Sequence, residues 1–261
     1  MGSTPLPVLF VSHGAPTLAL AGGPWAEQLG RWARGLGEVR AILVLSAHWE
    51  QSGPVRVMAA AHPETLHDFS GFPASLYQIR YPAPGAPDLA ARVAGMLTAA
   101  GMEAVTDPVR PLDHGAWVPL RAAFPEARIP VLQVALPRPR TPRQVLELGG
   151  RLAPLRREGV LLAGSGGIVH NLGLLDGSDQ AAPEPWALAF EGWVADRLAR
   201  GETGQLLEDA ARAPGHSRAV PTSEHFDPLY FALGAAQGAP ARPLHRGWQM
   251  GNLSLGTWVW D

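Results

Sequence analysis

Short apolar runs alternate along this chain with longer segments whose apolar residues recur at helical spacing. "PVLFVS" (7–12), "AILVLSA" (41–47), "IPVLQVAL" (129–136) and "VLLAGSG" (160–166) are apolar on both faces, the pattern of strands buried inside a sheet. "VRVMAA" (55–60), "MEAVTD" (102–107) and the closing "GNLSLGTWVW" (251–260) read as further strands. Between them, "PWAEQLGRWARGL" (24–36) puts Trp25, Leu29 and Trp32 on one helical stripe. "PDLAARVAGMLTAAG" (87–101) carries Asp88 in its first turn and Gly101 just past its end. "VPLRAAFP" (118–125), "PRQVLELGGRLAPLRREG" (142–159) and "EPWALAFEGWVADRLARG" (184–201) read as three more helices. Doubly apolar strands separated by helices predict an α/β fold, with a mostly parallel central sheet covered by helices on both faces. No solenoid repeat is visible and "RYPAPGAP" reads as a loop, so residues 1–261 are expected to form a single domain. Trp25 and Trp32 are expected in its core, and the sequence leaves monomer and homo-oligomer both open.

Open α/β sheets bind ligands outside the carboxyl ends of their strands. Two runs stop there on a histidine, at Ser12-His13-Gly14 and Ser46-Ala47-His48. A third ends in Gly164-Ser165-Gly166-Gly167, with His170 and Asn171 just beyond. The first two histidines serve either as neighbouring functional imidazoles or as buried groups bonded to carbonyls. His114, between Asp113 and Gly115, faces a ligand or sits in a turn where Asp113 caps the next helix. His170 overhangs the same crevice or packs in a strand-to-helix turn. In "PTSEHFDPL" the residues Glu224, His225 and Asp227 all carry ligand atoms. Neighbours on extended chain point opposite ways, so Glu224 and His225 are not expected to face one ion. The other reading is a loop entering a helix with Ser223 as cap. "AHPETLHDFSGFP", with His62, His67, Phe69 and Phe72, is an aromatic loop, either a substrate lid or a surface loop over a small cluster. His62, His216 and His245 favour no function.

Composition narrows the chemistry. Net charge is −2 with 17% charged residues, so neither nucleic acid nor an anionic membrane is an expected partner. There is no cysteine, which removes disulfides, thiolate nucleophiles, cysteine zinc sites and iron–sulfur clusters. All 21 basic residues are arginine, so Schiff-base and Walker lysines are excluded too. No signal-like segment or membrane-length run appears, and a cytoplasmic protein is expected.

"SHG", "SAHWE", "HDFSGFP", "LDHGAWVPL", "GSGGIVHNL" and "SEHFDPL" occur in this order between residue 10 and about residue 235. As an ordered set they resemble the class III extradiol ring-cleavage dioxygenases, and more narrowly the DOPA 4,5-dioxygenase-type branch. The resemblance implies a non-haem Fe(II), with Zn(II) a possible bound metal, on His13, His48 and His225. It implies His170 beside the metal as catalytic base or fourth ligand, and His114 facing substrate and oxygen. The substrates implied are a small catechol and O2. His67 and Phe69 of the aromatic loop and Ser165 and Gly166 of the glycine run are the expected substrate contacts, with the "GSGG" amides holding oxygen atoms. Three histidines are less anionic than two with a carboxylate, and suit zinc as well as iron.

Two other readings compete. Ala163-Gly164-Ser165-Gly166-Gly167 approaches the G-x-S-x-G elbow of serine hydrolases, with Asp196 and His225 following in order. That reading leaves His13, His48 and His114 unexplained. A non-catalytic metal-binding or interaction protein of the same superfamily is the other, since fold alone does not give function.

Overall fold

A computed structural model describes residues 4–178 and 180–261. The chain opens with β1 (Val8–Ser12), all five residues buried, followed by α1 (Leu18–Ala21) and α2 (Gly23–Arg34). Next come β2 (Ala41–Ser52), β3 (Val55–Met58), α3 (Pro87–Ala99), β4 (Ala104–Asp107) and α4 (His114–Ala123). β5 (Val131–Arg138), α5 (Pro142–Leu152), β6 (Val160–Gly166), α6 (Pro185–Arg200), α7 (Thr203–Asp209) and α8 (His216–Ala219) follow. α9 (Pro228–Ala236), β7 (Arg242–His245), β8 (Trp248–Gln249), β9 (Leu253–Ser254) and β10 (Thr257–Trp260) complete the order.

Eight strands form one sheet in the order β4-β3-β5-β2-β6-β1-β10-β7, and β8 pairs with β9 separately. The four central strands, β5, β2, β6 and β1, run parallel. Antiparallel pairing enters only toward the edges, at β3 with β5, β10 with β1 and β7 with β10. The expected parallel centre is therefore present, framed by antiparallel strands. Both faces are covered. Along β6, Gly164 and Gly166 look toward Pro228 and His225, whereas Ser165 between them bonds the carbonyl of Gly115. Side chains alternate across a strand, so the α9 layer and the α4 layer lie on opposite faces.

Several elements differ from the sequence expectation. α4 starts at His114, four residues before "VPLRAAFP", because Asp113 caps it by accepting from Ala116 N–H at 3.2 Å. The 142–159 helix ends at Leu152 and gives way to a 3-10 turn that contains Pro154. The closing segment divides into β9 and β10. α9 has all nine residues buried, and a helix apolar all round carries no amphipathic period to read. Its N-cap is Asp227, not Ser223, whose carbonyl instead accepts from Phe226 and Asp227 N–H. Trp25 and Trp32 are in the core.

α5 and α9 cross with almost no side chain between them. A Cβ on Gly234 would stand 1.8 Å from Leu146 O, and one on Gly149 2.0 Å from Phe231 O. Gly234→Ala is expected to destabilise the fold by about 1–3 kcal/mol, seen as a lower urea midpoint at unchanged slope. Gly204→Ala on α7, where a Cβ meets nothing within 4 Å, is the control and leaves the midpoint the same or higher.

Candidate metal centre

The centre begins with strand register. Val11 of β1 and Ser46 of β2 both pair with Ser165 of β6. His13 and His48 each lie two residues further on, so both leave the same edge of the sheet. β2 is irregular here: its pairing with β5 shifts between Leu45 and Glu50. Bulges of this kind re-aim side chains beside functional sites. The third imidazole, His225, comes from a turn before α9 that lies directly on β6. A Cβ on Gly166 would be 2.0 Å from His225 O, so only glycine lets this turn down onto the strand.

His13 Nε2 and His48 Nε2 are 3.0 Å apart, and ligand nitrogens of His13, His48 and His225 all lie within 4.8 Å of one another. The outer nitrogens decide the tautomers. Ser165 Oγ donates to Gly115 O, so it accepts from His13 Nδ1–H at 3.0 Å. His225 Nδ1–H donates to Glu224 Oε1 at 3.0 Å. His48 Nδ1 stands 3.5 Å from Asp68 Oδ2. Each ring thus turns an Nε2 lone pair inward, and His225 Nε2 is buried with no hydrogen-bond partner. Lone pairs so placed repel one another unless a cation sits among them. The donor set therefore fits a metal ion: three imidazoles, two held at the far nitrogen by an oxygen acceptor and the third, His48, facing the Asp68 carboxylate there.

Electrostatics agree. Burial, then the neighbouring histidines, hold His13 and His48 well below the usual imidazole range. His170 is pushed down to about 3, first by burial and then by His225. Burial opposes ionisation of Glu224, but bonds from His225 and Thr222 outweigh it and hold the carboxyl at about 2. Asp68 behaves similarly: hydrogen bonds from His114 overcome its burial and keep it below the ordinary carboxylate value.

Above the three nitrogens opens a cleft of about 580 Å³. His170 stands on its wall, stacked on His225 with centroids 3.5 Å apart and planes 6° from parallel. His114 stands on the wall as well, its N–H and Nδ1 bonded to Asp68 Oδ1 at 3.1 and 2.9 Å. Phe69 lines the cleft and meets His114 edge-on. His67 lies behind Phe69, bonded to Ile79 O and packed on Tyr77 and Trp117. Ser165 and Gly166 are fully buried beneath the histidines. Gly167 N–H does not face the cleft as an oxygen-holding amide; it donates to His225 O at 2.7 Å.

The sequence reading passed over three supporting groups. Asp68 bridges His48 and His114, and its signal was the acid inside "HDFSGFP". Glu224 was weighed only as a ligand on extended chain; residues 223–226 form a turn, and its carboxylate folds back onto His225 Nδ1. Arg140 has no sequence signal. It ties Asp227 (2.6 Å), Glu50 (2.5 Å) and Ser223 (3.3 Å) together, fixing the His225 turn to β2. The serine-hydrolase triad is not assembled. Ser165 Oγ is bonded to Gly115 O and His13, and Asp196 pairs with Arg200 at 2.9 Å on α6.

A parallel-centred α/β sheet that delivers three oriented imidazoles to one buried point defines a metalloenzyme core. Residues 7–254 match the family model of the catalytic LigB subunit of aromatic ring-opening dioxygenase, and the chain belongs to that family. It is 41% identical over 255 residues to a 4,5-DOPA dioxygenase extradiol of Beta vulgaris, covering 95% of this chain and 94% of that protein. It is 36% identical over 258 residues to the 4,5-DOPA dioxygenase extradiol of Escherichia coli K12, covering 98% and 94%. The crystal structure of an uncharacterized protein from Escherichia coli K12 superposes with a TM-score of 0.83 at 31% identity, covering 98% of this chain and all of that one. The protein is an extradiol ring-cleaving dioxygenase, metal-dependent, acting on an aromatic substrate with O2. No helix among the described residues is long and apolar enough to cross a membrane.

Two measurements test the centre. Glu224→Gln weakens the acceptor on His225 Nδ1 and is expected to lower metal affinity about 10–100-fold in a chelator competition. In the metal-free protein His13, His48 and His170 stay neutral when folded but protonate near 6.5 once unfolded. Below that pH the unfolded chain binds protons that the fold refuses, so stability is full above about 6.5 and falls as pH drops. Urea unfolding from pH 7.5 to 5 is expected to show a loss approaching about 1.4 kcal/mol per pH unit for each such histidine; a flat profile contradicts their neutrality.

Proposed function

We propose that His13, His48 and His225 hold one Fe(II) through Nε2, that His170 is the base toward a bound catechol, and that His114 faces its oxygen atoms. The observation that carries this reading is the convergence of the three imidazoles, with Nδ1 of His13 and His225 bonded to oxygen acceptors and Nδ1 of His48 facing Asp68. Zn(II) suits the same three nitrogens, but reaction with O2 requires a redox-active ion, which favours iron in the working enzyme. When bound, the ion supplies charge that lowers the pKa of the catechol oxygens and a centre at which O2 is activated.

The residues around it do the rest. His170 is neutral at pH 7, and stacking on His225 fixes its ring plane. Among the described residues no bond to another residue engages its side chain, which leaves a nitrogen free to take a phenolic proton at the cleft wall. Asp68 accepts His114 Nδ1–H, so His114 Nε2 is the nitrogen left for oxygen atoms in the cleft. Phe69 and Phe72 form an aromatic wall against which a substrate ring packs, with His67 bracing Phe69 from behind. The relatives named for DOPA support a catechol as the reacting group.

His170→Ala is expected to keep its metal and lose about 10²–10⁴-fold in turnover, measured by oxygen uptake with a catechol. His13→Ala is expected to lose the metal itself, measured by metal analysis of the purified protein. An empty site in His170→Ala makes His170 a ligand and removes it as the base.

A further inference from the structure

Asp113 caps α4, but its fully buried carboxylate takes three further donors. Oδ1 accepts from Ser46 Oγ–H at 2.7 Å as well as from Ala116 N–H at 3.2 Å. Oδ2 accepts from Gln133 Nε2 at 2.8 Å and from Arg110 Nη2 at 3.0 Å. Gln133 lies on the regular part of β5, opposite Val44, and its Oε1 takes Asp113 N–H in return at 3.3 Å. A buried carboxylate with four donors on its two oxygens is a fixed point in the fold.

Two of those donors also hold His48. The pairing of β2 with β6 ends at Ser46, and its pairing with β5 shifts between Leu45 and Glu50, so His48 stands where the ladder is broken. There Ser46 Oγ accepts His48 N–H at 3.2 Å, and Arg110 Nη2 donates to His48 O at 3.3 Å. The peptide groups on both sides of His48 are thus caught by side chains that end on Asp113. The residue after Asp113 is His114, whose ring centroid lies 3.9 Å from that of His48. Gly115 permits this approach: a Cβ there would stand 2.5 Å from Ser46 Oγ and 2.9 Å from His48 Cδ2. One carboxylate outside the cleft therefore spaces two imidazoles inside it.

We propose that Asp113 is a positioning residue. Through Ser46 and Arg110 it sets where His48 stands against His13 and His114, and so governs metal affinity and turnover while touching neither metal nor substrate. The proposal rests on the three-histidine centre above. Asp113→Asn keeps the shape of the side chain, but whichever way the amide lies it turns an N–H2 toward two of the four donors. Zn(II) affinity by chelator competition is expected to fall about tenfold or more. With saturating Fe(II), kcat from oxygen uptake with 3,4-dihydroxyphenylalanine is expected to fall about 10–100-fold. KM is expected to change little, since the Phe69 and Phe72 wall is untouched. The visible spectrum of the Co(II)-substituted protein is expected to shift, which a general loss of stability does not cause. Val93→Ala, a fully buried change on α3, is the control that lowers stability and leaves affinity, kcat and spectrum in place.

Ser46→Ala breaks one link and is expected to give part of the loss. Because both changes cut one path, the double variant is expected to bind Zn(II) no more than about twofold more weakly than Asp113→Asn alone. Unchanged affinity, spectrum or kcat in Asp113→Asn overturns the proposal, as do losses that multiply in the double variant. If Asp113→Asn does not fold, Ser46→Ala decides: weaker Zn(II) binding with a shifted Co(II) spectrum upholds the proposal, and no change in either overturns it. If the unmutated protein takes up no metal, the three-histidine centre itself fails, and crystal structures of the metal-free variants decide the proposal alone. A His48 ring displaced from His13 by about 0.5 Å or more upholds it, and an unmoved ring overturns it.

Discussion

Everything near the cleft answers to one constraint: three imidazole lone pairs must be aimed at a single buried point. Left to themselves, three desolvated acceptors would turn apart. They are held because Ser165 and Glu224 bond the other nitrogens of His13 and His225, and the Asp68 carboxylate faces that of His48. Those acceptors are fixed in turn. Ser165 lies in the middle of the parallel core, Asp68 is locked onto the first turn of α4, and Glu224 is braced by Thr222. The shared register of Val11, Ser46 and Ser165 then matters chemically. A one-residue slip of β1 or β2 would send its histidine to the opposite face of the sheet.

What could be read from the chain follows the same logic. His13 and His48 were legible because a buried strand that ends on a polar residue is a local pattern, and β6 was legible for the same reason. His225 was different. Its motif offers three ligand types, and the extended-chain argument separated Glu224 from His225 but missed that a turn makes one the support of the other. α9, which carries that turn into the core, is apolar throughout and so lacks the periodicity that reveals helices. Asp68 and Arg140 lie farther still from sequence reasoning. Each acts on groups brought near only by the fold: Asp68 reaches a residue 46 positions away, and Arg140 one 87 positions away.

The Arg140 cluster shows how the third imidazole is fixed without a strand. Burial pushes the Asp227 carboxyl up in spite of the Arg140 charge beside it. Such a group is an uncertain source of stability, since desolvation offsets much of the attraction. Its value here is positional. A guanidinium with several fixed donors can hold β2, the end of β5 and the His225 turn in one geometry, which a hydrophobic contact would leave free to slide.

β1 lies inside the sheet between β6 and β10, strands that end more than 150 and almost 250 residues later in the chain. During synthesis, then, His13 emerges early but has no sheet to lie in, no Ser165 to orient it and no His225 to share an ion with. An incomplete chain carries its histidines scattered instead of converged, the kind of weak chelator that gives a metal up. Only when the tryptophan-rich last strand closes beside β1 does the centre become whole. The fold thereby withholds the three-histidine cluster until the chain has finished folding.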